Sequence, residues 1–150
     1  MKLSEITESF DSKIPYKVVI ASNESFNTKA EIGGRTIFFT ANITEDGTDN
    51  NPTYPWEIEF QEISKNSNTY SKTGSGHEMQ VFAFIIDSIK ELIARYSPDE
   101  IVFGSEKYDS NRTSLYKRMA NKIKLPGYHL ASIVSGSRAD RFSIVRDDKT

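Results

Sequence analysis

The chain has 150 residues, 37% of them hydrophobic and 27% charged, a balance typical of one folded domain rather than of a disordered segment. Its net charge of -2 argues against a strongly basic nucleic-acid-binding protein. Because cysteine is absent, disulfides, thiolate catalysis and cysteine-ligated zinc are excluded, and with only two histidines we predict no metal site.

The N-terminal residues contain no apolar run of the kind found in signal peptides, and no stretch reaches the length that crosses a membrane. We therefore expect a soluble cytoplasmic protein. A single domain is expected over residues 1–150, in which residues 1–15 form an arm or a short helix that ends at Pro15.

The first third of the chain predicts antiparallel strands. β-Branched residues fill Tyr16–Ala21, a second strand follows over Phe26–Ile32, and a third runs over Arg35–Ile43. Gly33-Gly34, between the second and the third, is a strong hairpin signal. Asp, Asn, Gly and Pro are dense in Thr44–Pro55, which predicts a long exposed loop.

The next predicted strand, Trp56–Ile63, alternates between apolar and polar side chains. The apolar side chains are those of Trp56, Ile58 and Phe60, and the polar ones are those of Glu57, Glu59 and Gln61. Such alternation predicts one dry face and one polar face. The polar face would usually meet solvent. If it lines a cleft instead, Glu57 or Glu59 is a candidate proton acceptor.

One long helix dominates the pattern. Between His77 and Tyr96, apolar residues recur at intervals of three and four. They are Met79, Phe82, Ile85, Ile86, Ile89, Leu92, Ile93 and Tyr96. Val81 and Phe84 add a second apolar edge, which predicts that the helix is covered on more than one side. Pro98 ends the helix, and a short buried strand over residues 101–103, closed by Gly104, follows.

The turn before this helix, Gly74-Ser75-Gly76, has two interpretations. The first-turn amides of a helix lack partners and carry partial positive charge, so that a phosphate can approach them, with Lys72 supplying a full charge. Alternatively, the segment is a flexible turn in which Glu78 stabilises the helix start and repels a phosphate.

Beyond Gly104 the pattern predicts a loop, a second, shorter helix over Arg112–Lys122 and a closing hairpin of Tyr128–Val134 and Ala139–Arg146. His129 lies inside an apolar strand and is expected to be a hydrogen-bonded structural histidine. The basic residues near the shorter helix are Lys107, Arg112, Lys117, Arg118, Lys122 and Lys124. They form either a solvated helix face, which we favour, or a patch for nucleic acid or phosphates.

Over roughly residues 16–146 this order of elements resembles the GNAT-type N-acetyltransferase superfamily. The resemblance rests on Gly74-Ser75-Gly76 ahead of a long helix and a strand, and on Asn111 followed by Leu115-Tyr116. It implies an α+β fold. That fold has a mixed, mostly antiparallel sheet of about six or seven strands, a long central helix and a second, shorter helix.

The resemblance also implies a reaction, the transfer of an acetyl group from acetyl-coenzyme A to an amine. The loop before the helix would hold the pyrophosphate of the coenzyme. The residues implied in binding it are Lys72, Thr73, Gly74, Ser75, Gly76, His77 and Asn111. Tyr116 would serve as general acid toward the thiolate, and Glu59 or Glu57 as the base.

A second hypothesis remains open, because Ser71 stands where the family has a basic or amide residue and a polar run precedes it. On this hypothesis the same fold serves a non-catalytic protein that binds a host or viral protein or a nucleotide. A looser resemblance to small phage proteins rests on Thr73-Gly74, Val81-Phe82 and Arg112 with Leu115-Tyr116, and it implies no activity.

Overall fold

The computed structural model describes residues 14–63, 78–106, 125–135 and 139–148. Within these ranges the chain forms nine strands and one helix. The strands are β1 (Lys17–Ala21), β2 (Ser25–Ile32), β3 (Arg35–Ile43), β4 (Asp46–Thr48), β5 (Asn51–Thr53), β6 (Trp56–Ile63), β7 (Glu100–Glu106), β8 (Tyr128–Ser135) and β9 (Ala139–Arg146). The helix, α1, spans Glu78–Tyr96.

Seven of these strands form one sheet in the order β1-β2-β3-β6-β7-β9-β8, and β4 pairs with β5 in a separate hairpin. Every neighbouring pair in the large sheet is antiparallel except β6 with β7, which is parallel. The predicted α+β fold with a mixed, mostly antiparallel sheet is therefore confirmed. The predicted shorter helix, Arg112–Lys122, lies outside the described residues.

The core lies between α1 and one face of the sheet, which we call the inner face. Strand register places five apolar side chains in one row across it, and all five are buried. They are Phe26, Ala41, Ile58, Phe103 and Phe142. The helix contributes Val81, Phe82, Phe84, Ile85, Ile89 and Leu92 to the same core. The expectation that α1 is covered on more than one side is confirmed in its first half, where residues 81–85 are all buried.

Two contacts fix the direction of α1 on the sheet. In the second half of the helix, Ser88 and Thr28 of β2 share a buried hydrogen bond of 2.8 Å between their hydroxyls. At the end of the helix, the ring of Tyr96 lies 4.5 Å from that of Trp56, the first residue of β6. Because α1 ends beside the start of β6, it runs antiparallel to β6 and begins at the end of the sheet where β6 and β7 finish.

The hairpin predicted at Gly33-Gly34 is confirmed. The two glycines have φ values of 61° and 77°, which suits the turn type that matches strand twist and which other residues rarely adopt. Pairing starts directly at Ile32 opposite Arg35 and continues to Ser25 opposite Asn42. The predicted bounds of β3, β6 and β9 agree with those in the structure.

Three predictions about local structure are wrong. Residues 44–55 are largely exposed as expected, but they contain the short strands β4 and β5. The side-chain oxygen of Thr48 accepts a hydrogen bond from the backbone amide of Asn51, and this bond closes the tight turn between the two strands. Gly104 does not end the strand. β7 continues to Glu106, because the edge of β7 that faces away from β6 is paired with β9 along this length. Met79, assigned to the buried stripe, is 42% exposed in the first turn of α1.

Candidate functional site

The sheet is split where its one parallel pair ends. β6 and β7 pair at only three positions, from Trp56 opposite Ile101 to Ile58 opposite Phe103. Beyond that point β6 stays paired with β3 as far as Ile63, and β7 stays paired with β9 as far as Glu106. Residues 59–63 of β6 and 104–106 of β7 are therefore not paired with each other. We call this gap the β6–β7 opening.

In an opening of this kind the main-chain groups of the two strands form no hydrogen bonds with each other. A strand edge without a neighbouring strand presents N–H and C=O groups that require other partners. The opening lies at the carboxyl ends of two parallel strands, which is where open α/β sheets bind ligands. Because α1 begins at the same end of the sheet, the partial positive charge of its N-terminus faces this region too.

Glu57 and Glu59 lie on the outer face of the sheet, opposite α1. The alternation predicted for β6 is confirmed, since Trp56, Ile58 and Phe60 are all buried on the inner face. Glu57 is half-buried and is the last acidic residue before pairing with β7 ends, whereas Glu59 is exposed and lies just beyond that point. The structure thus places Glu59 at the rim of the β6–β7 opening.

Sequence reasoning missed two polar neighbours of Glu59. Strand register aligns Asn27 of β2 with Thr40 of β3, and Thr40 with Glu59, so that the three form a row across the outer face. The side-chain oxygen of Asn27 is buried and receives no hydrogen bond from the described residues. The polar alternation of β2 and β3 could have placed these residues on the outer face, but only the register puts them beside Glu59. The carboxylate of Glu59 and the side-chain oxygen of Asn27 accept hydrogen bonds, and the hydroxyl of Thr40 can accept or donate one, so the row offers acceptors to a group that carries N–H donors.

The other predicted site residues lie outside the described residues. They are Lys72, Thr73, Gly74, Ser75, Gly76, His77, Asn111 and Tyr116. Their roles stay predictions from the sequence. In the chain, His77 alone separates Gly74-Ser75-Gly76 from the start of α1 at Glu78, so this turn is close in sequence to the end of the sheet where the opening lies.

His129 is hydrogen-bonded as expected, but it lies at the surface. Its Nδ1 is 2.7 Å from a carboxylate oxygen of Asp147, and its side chain is 42% exposed. It lies on β8, at the opposite edge of the sheet from β1 and three strands from β6. Nothing in this position connects it with the β6–β7 opening.

Two further classes of site find no support within the described ranges. None of the His, Asp and Glu side chains described there forms a group of three or more that could hold a metal ion. The helix of these ranges also lacks the combination of length and apolar character that a membrane crossing requires.

The sequence matches no protein-family model and no curated protein. Among solved structures, it is similar to an acetyltransferase of Bacillus subtilis in complex with CoA, at 14% identity over 89% of this chain and 99% of that one, with a TM-score of 0.49. A GNAT-family acetyltransferase of Streptococcus pneumoniae shows 10% identity over 83% of this chain and 66% of that one, with a TM-score of 0.40. The NatC complex bound to Gag peptide and CoA shows 14% identity over 81% and 69%, with a TM-score of 0.37.

The sheet and the helix of this chain form an α+β fold. Identities of 14% and below assign no activity and no residue role to it. The resemblance to phage proteins receives no support from these structures.

Proposed function

We propose that this protein is an N-acyltransferase that transfers an acetyl group from acetyl-coenzyme A to an amine. The observation that carries the proposal is the early end of the β6–β7 pairing, at the end of the sheet where α1 begins. An extended ligand with amide groups would fit such an opening, because it can take the place of the missing strand.

The residues around the opening would hold different parts of the coenzyme. The edge of β6 beyond Ile58, where pairing with β7 has ended, would donate and accept hydrogen bonds along the amide-containing arm. The turn Gly74-Ser75-Gly76 and the first amides of α1 would face the pyrophosphate, with Lys72 as a neighbouring cation. Bound acetyl-coenzyme A supplies an activated acyl group.

The outer-face row would receive the amine. An amine that attacks a thioester must first lose a proton, and Glu59 at the rim of the opening would accept it, directly or through water. Asn27 and Thr40 would orient the N–H groups of the acceptor. A main-chain amide of the strand edge would stabilise negative charge on the thioester oxygen, and Tyr116 would protonate the departing thiolate.

Glu59→Gln tests the assigned base. We expect kcat for acetyl transfer, measured with a panel of small amines and amine-bearing peptides, to fall by about 10²–10⁴-fold. The dissociation constant for coenzyme A, measured by calorimetry, should stay unchanged, because Glu59 does not hold the coenzyme. Glu31→Gln is the matched control: it removes the same charge from the same face of the sheet, two strands away, and should leave kcat unchanged.

Two outcomes would contradict the proposal. If coenzyme A and acetyl-coenzyme A at millimolar concentration show no measurable binding and do not raise the melting temperature, the protein is not a coenzyme A enzyme. If the coenzyme binds but no amine is acetylated, the non-catalytic hypothesis replaces acyl transfer. If Glu31→Gln lowers kcat as much as Glu59→Gln does, Glu59 is not the base.

A further inference from the structure

A second candidate binding site lies at the other side of the sheet, where β1 begins. Antiparallel pairing of β1 with β2 ends at Lys17 opposite Lys29, but β2 continues to Ile32. The preceding residue pair, Pro15-Tyr16, does not extend the pairing. A hollow of about 410 Å³ is present here, lined by Pro15, Tyr16, Lys17, Lys29, Ala30 and Glu31. We call it the basic notch. Its volume falls in the range of ordinary small-molecule sites.

Two lysines face each other in the basic notch. Residues directly opposite on antiparallel strands have Cβ atoms about 5 Å apart and share one face of the sheet. Thr28 and Ala30 of β2 are buried beneath α1. Lys29 lies between them in the strand, so its side chain projects from the outer face, and so does that of Lys17, which lies directly opposite it. Like charges in this arrangement repel each other. Lys29 is half-buried, which limits its screening by water.

Among the described residues, no ion pair joins an acidic side chain to Lys17 or Lys29. Glu31 also lines the notch, but its carboxylate accepts a hydrogen bond of 2.8 Å from Thr36 of β3, on the side of β2 away from β1. Tyr16 donates its hydroxyl to Glu91 of α1, so this hydroxyl is already committed on the inner face. The notch therefore holds two positive charges against one negative charge that is drawn toward β3.

We propose that the basic notch binds the phosphate group of a small phosphate monoester. A doubly charged phosphate bridges two ammonium groups and removes their repulsion, which a singly charged carboxylate does less well. Edge groups of β2 beyond Lys29, which β1 leaves unpaired, supply further hydrogen-bonding positions. The remaining volume and the apolar surfaces of Pro15 and Ala30 accommodate a short organic portion.

Calorimetric titration of the full chain with glycerol 3-phosphate and with inorganic phosphate tests the site. Glycerol and sodium chloride at matched ionic strength are the reference ligands. We expect saturable binding of glycerol 3-phosphate and none of glycerol. Lys17→Gln and Lys29→Gln should each weaken it at least about tenfold, since each removes a charge-assisted hydrogen bond. Lys90→Gln, an exposed lysine of α1, is the matched control and should bind as the unmodified protein does.

Three results would show that the basic notch is not a phosphate site. The first is an absence of saturable binding of glycerol 3-phosphate. The second is a binding signal that sodium chloride reproduces at equal ionic strength. The third is that Lys90→Gln weakens binding as much as Lys17→Gln and Lys29→Gln do, which would indicate unspecific attraction. Lys17 is exposed, so Lys17→Gln keeps the test decisive even if Lys29→Gln fails to fold. Preference for inorganic phosphate over the ester would also contradict a monoester site. The titration contains no coenzyme and reads binding alone, so its outcome is independent of acyl transfer.

Discussion

Tyr16 anchors the segment before β1 to α1. Its hydroxyl donates a hydrogen bond to Glu91, whose other carboxylate oxygen accepts one of 2.7 Å from Arg95, one turn further along the helix. Burial and the neighbouring carboxylate raise the pKa of Tyr16 above its ordinary value. Burial alone would raise the pKa of Glu91, but the hydrogen bonds from Tyr16 and Arg95 outweigh it and the pKa falls below its ordinary value.

Tyr16→Phe removes this hydrogen bond, while Glu91 keeps the hydrogen bond from Arg95 to its other carboxylate oxygen. We expect the free energy of unfolding at pH 7 to fall by about 1–2 kcal/mol, as for a partly exposed hydrogen bond to a charged group. The contribution of Glu91 is present above its unfolded pKa of about 4.3 and is lost as the pH falls through the lower folded pKa.

Tyr16, with a raised pKa, loses its own contribution above about pH 10. The difference between the two proteins should therefore be constant between about pH 5 and 9 and shrink on either side. Urea unfolding across this pH range measures it. Tyr54→Phe, at an exposed tyrosine, is the control, and a loss of equal size there would contradict the assignment.

The buried hydroxyl pair of Thr28 and Ser88 joins β2 to α1 inside an otherwise apolar core. Thr28→Val or Ser88→Ala alone leaves one buried hydroxyl without a partner, which should cost about 1–2 kcal/mol of unfolding free energy. The double variant replaces both partners by apolar groups. We expect it to lose about 1 kcal/mol less than the sum of the single variants, as a double-mutant cycle in urea would show. Strict additivity would mean that the two hydroxyls do not depend on each other.

At the scale of single elements, α1 ends by a defined local device. The amide of Ser97 donates to the carbonyl oxygen of Ile93 at 2.9 Å, and Ser97 itself has a φ of 44°. This left-handed conformation closes many helices, but it is strained for any residue with a Cβ. Pro98 in the sequence predicts the end of the helix, and it is the backbone of Ser97 that makes the turn.

Ser97→Gly should raise the free energy of unfolding by about 0.5–1 kcal/mol, because glycine adopts this φ without strain. Ser97→Val should lower it, since a β-branched residue tolerates the left-handed region least. Thermal unfolding of the three proteins ranks them. A melting temperature of the glycine variant below that of the unmodified protein would contradict a strained helix end.

Apart from β4, β5 and the far end of β7, the strands and α1 were predictable to within about two residues, since most have a strong local signal. Alternation defined β6, paired glycines defined the β2–β3 turn, and periodicity with Pro98 defined α1. The error at the far end of β7 has a non-local cause. β7 extends through Gly104 because β9 lies beside it, and no local pattern at Gly104 records that neighbour.

At the scale of the whole molecule, the arrangement of the candidate site was predictable only in part. The face of Glu57 and Glu59 followed from alternation within one strand. The row of Asn27, Thr40 and Glu59 did not, because it depends on the register of three strands. The length of the β6–β7 pairing depends on two strands that are more than 35 residues apart in the chain, and a single sequence contains no sign of it.

We propose that the β6–β7 opening receives the coenzyme, and hydrogen exchange measured with and without coenzyme A tests this placement. Main-chain amides at a free strand edge exchange readily, and a ligand paired with that edge slows them. We predict slower exchange in peptides that cover residues 59–63 and 104–106, and unchanged exchange in β8. Binding of coenzyme A that leaves residues 59–63 and 104–106 as they were would contradict the account.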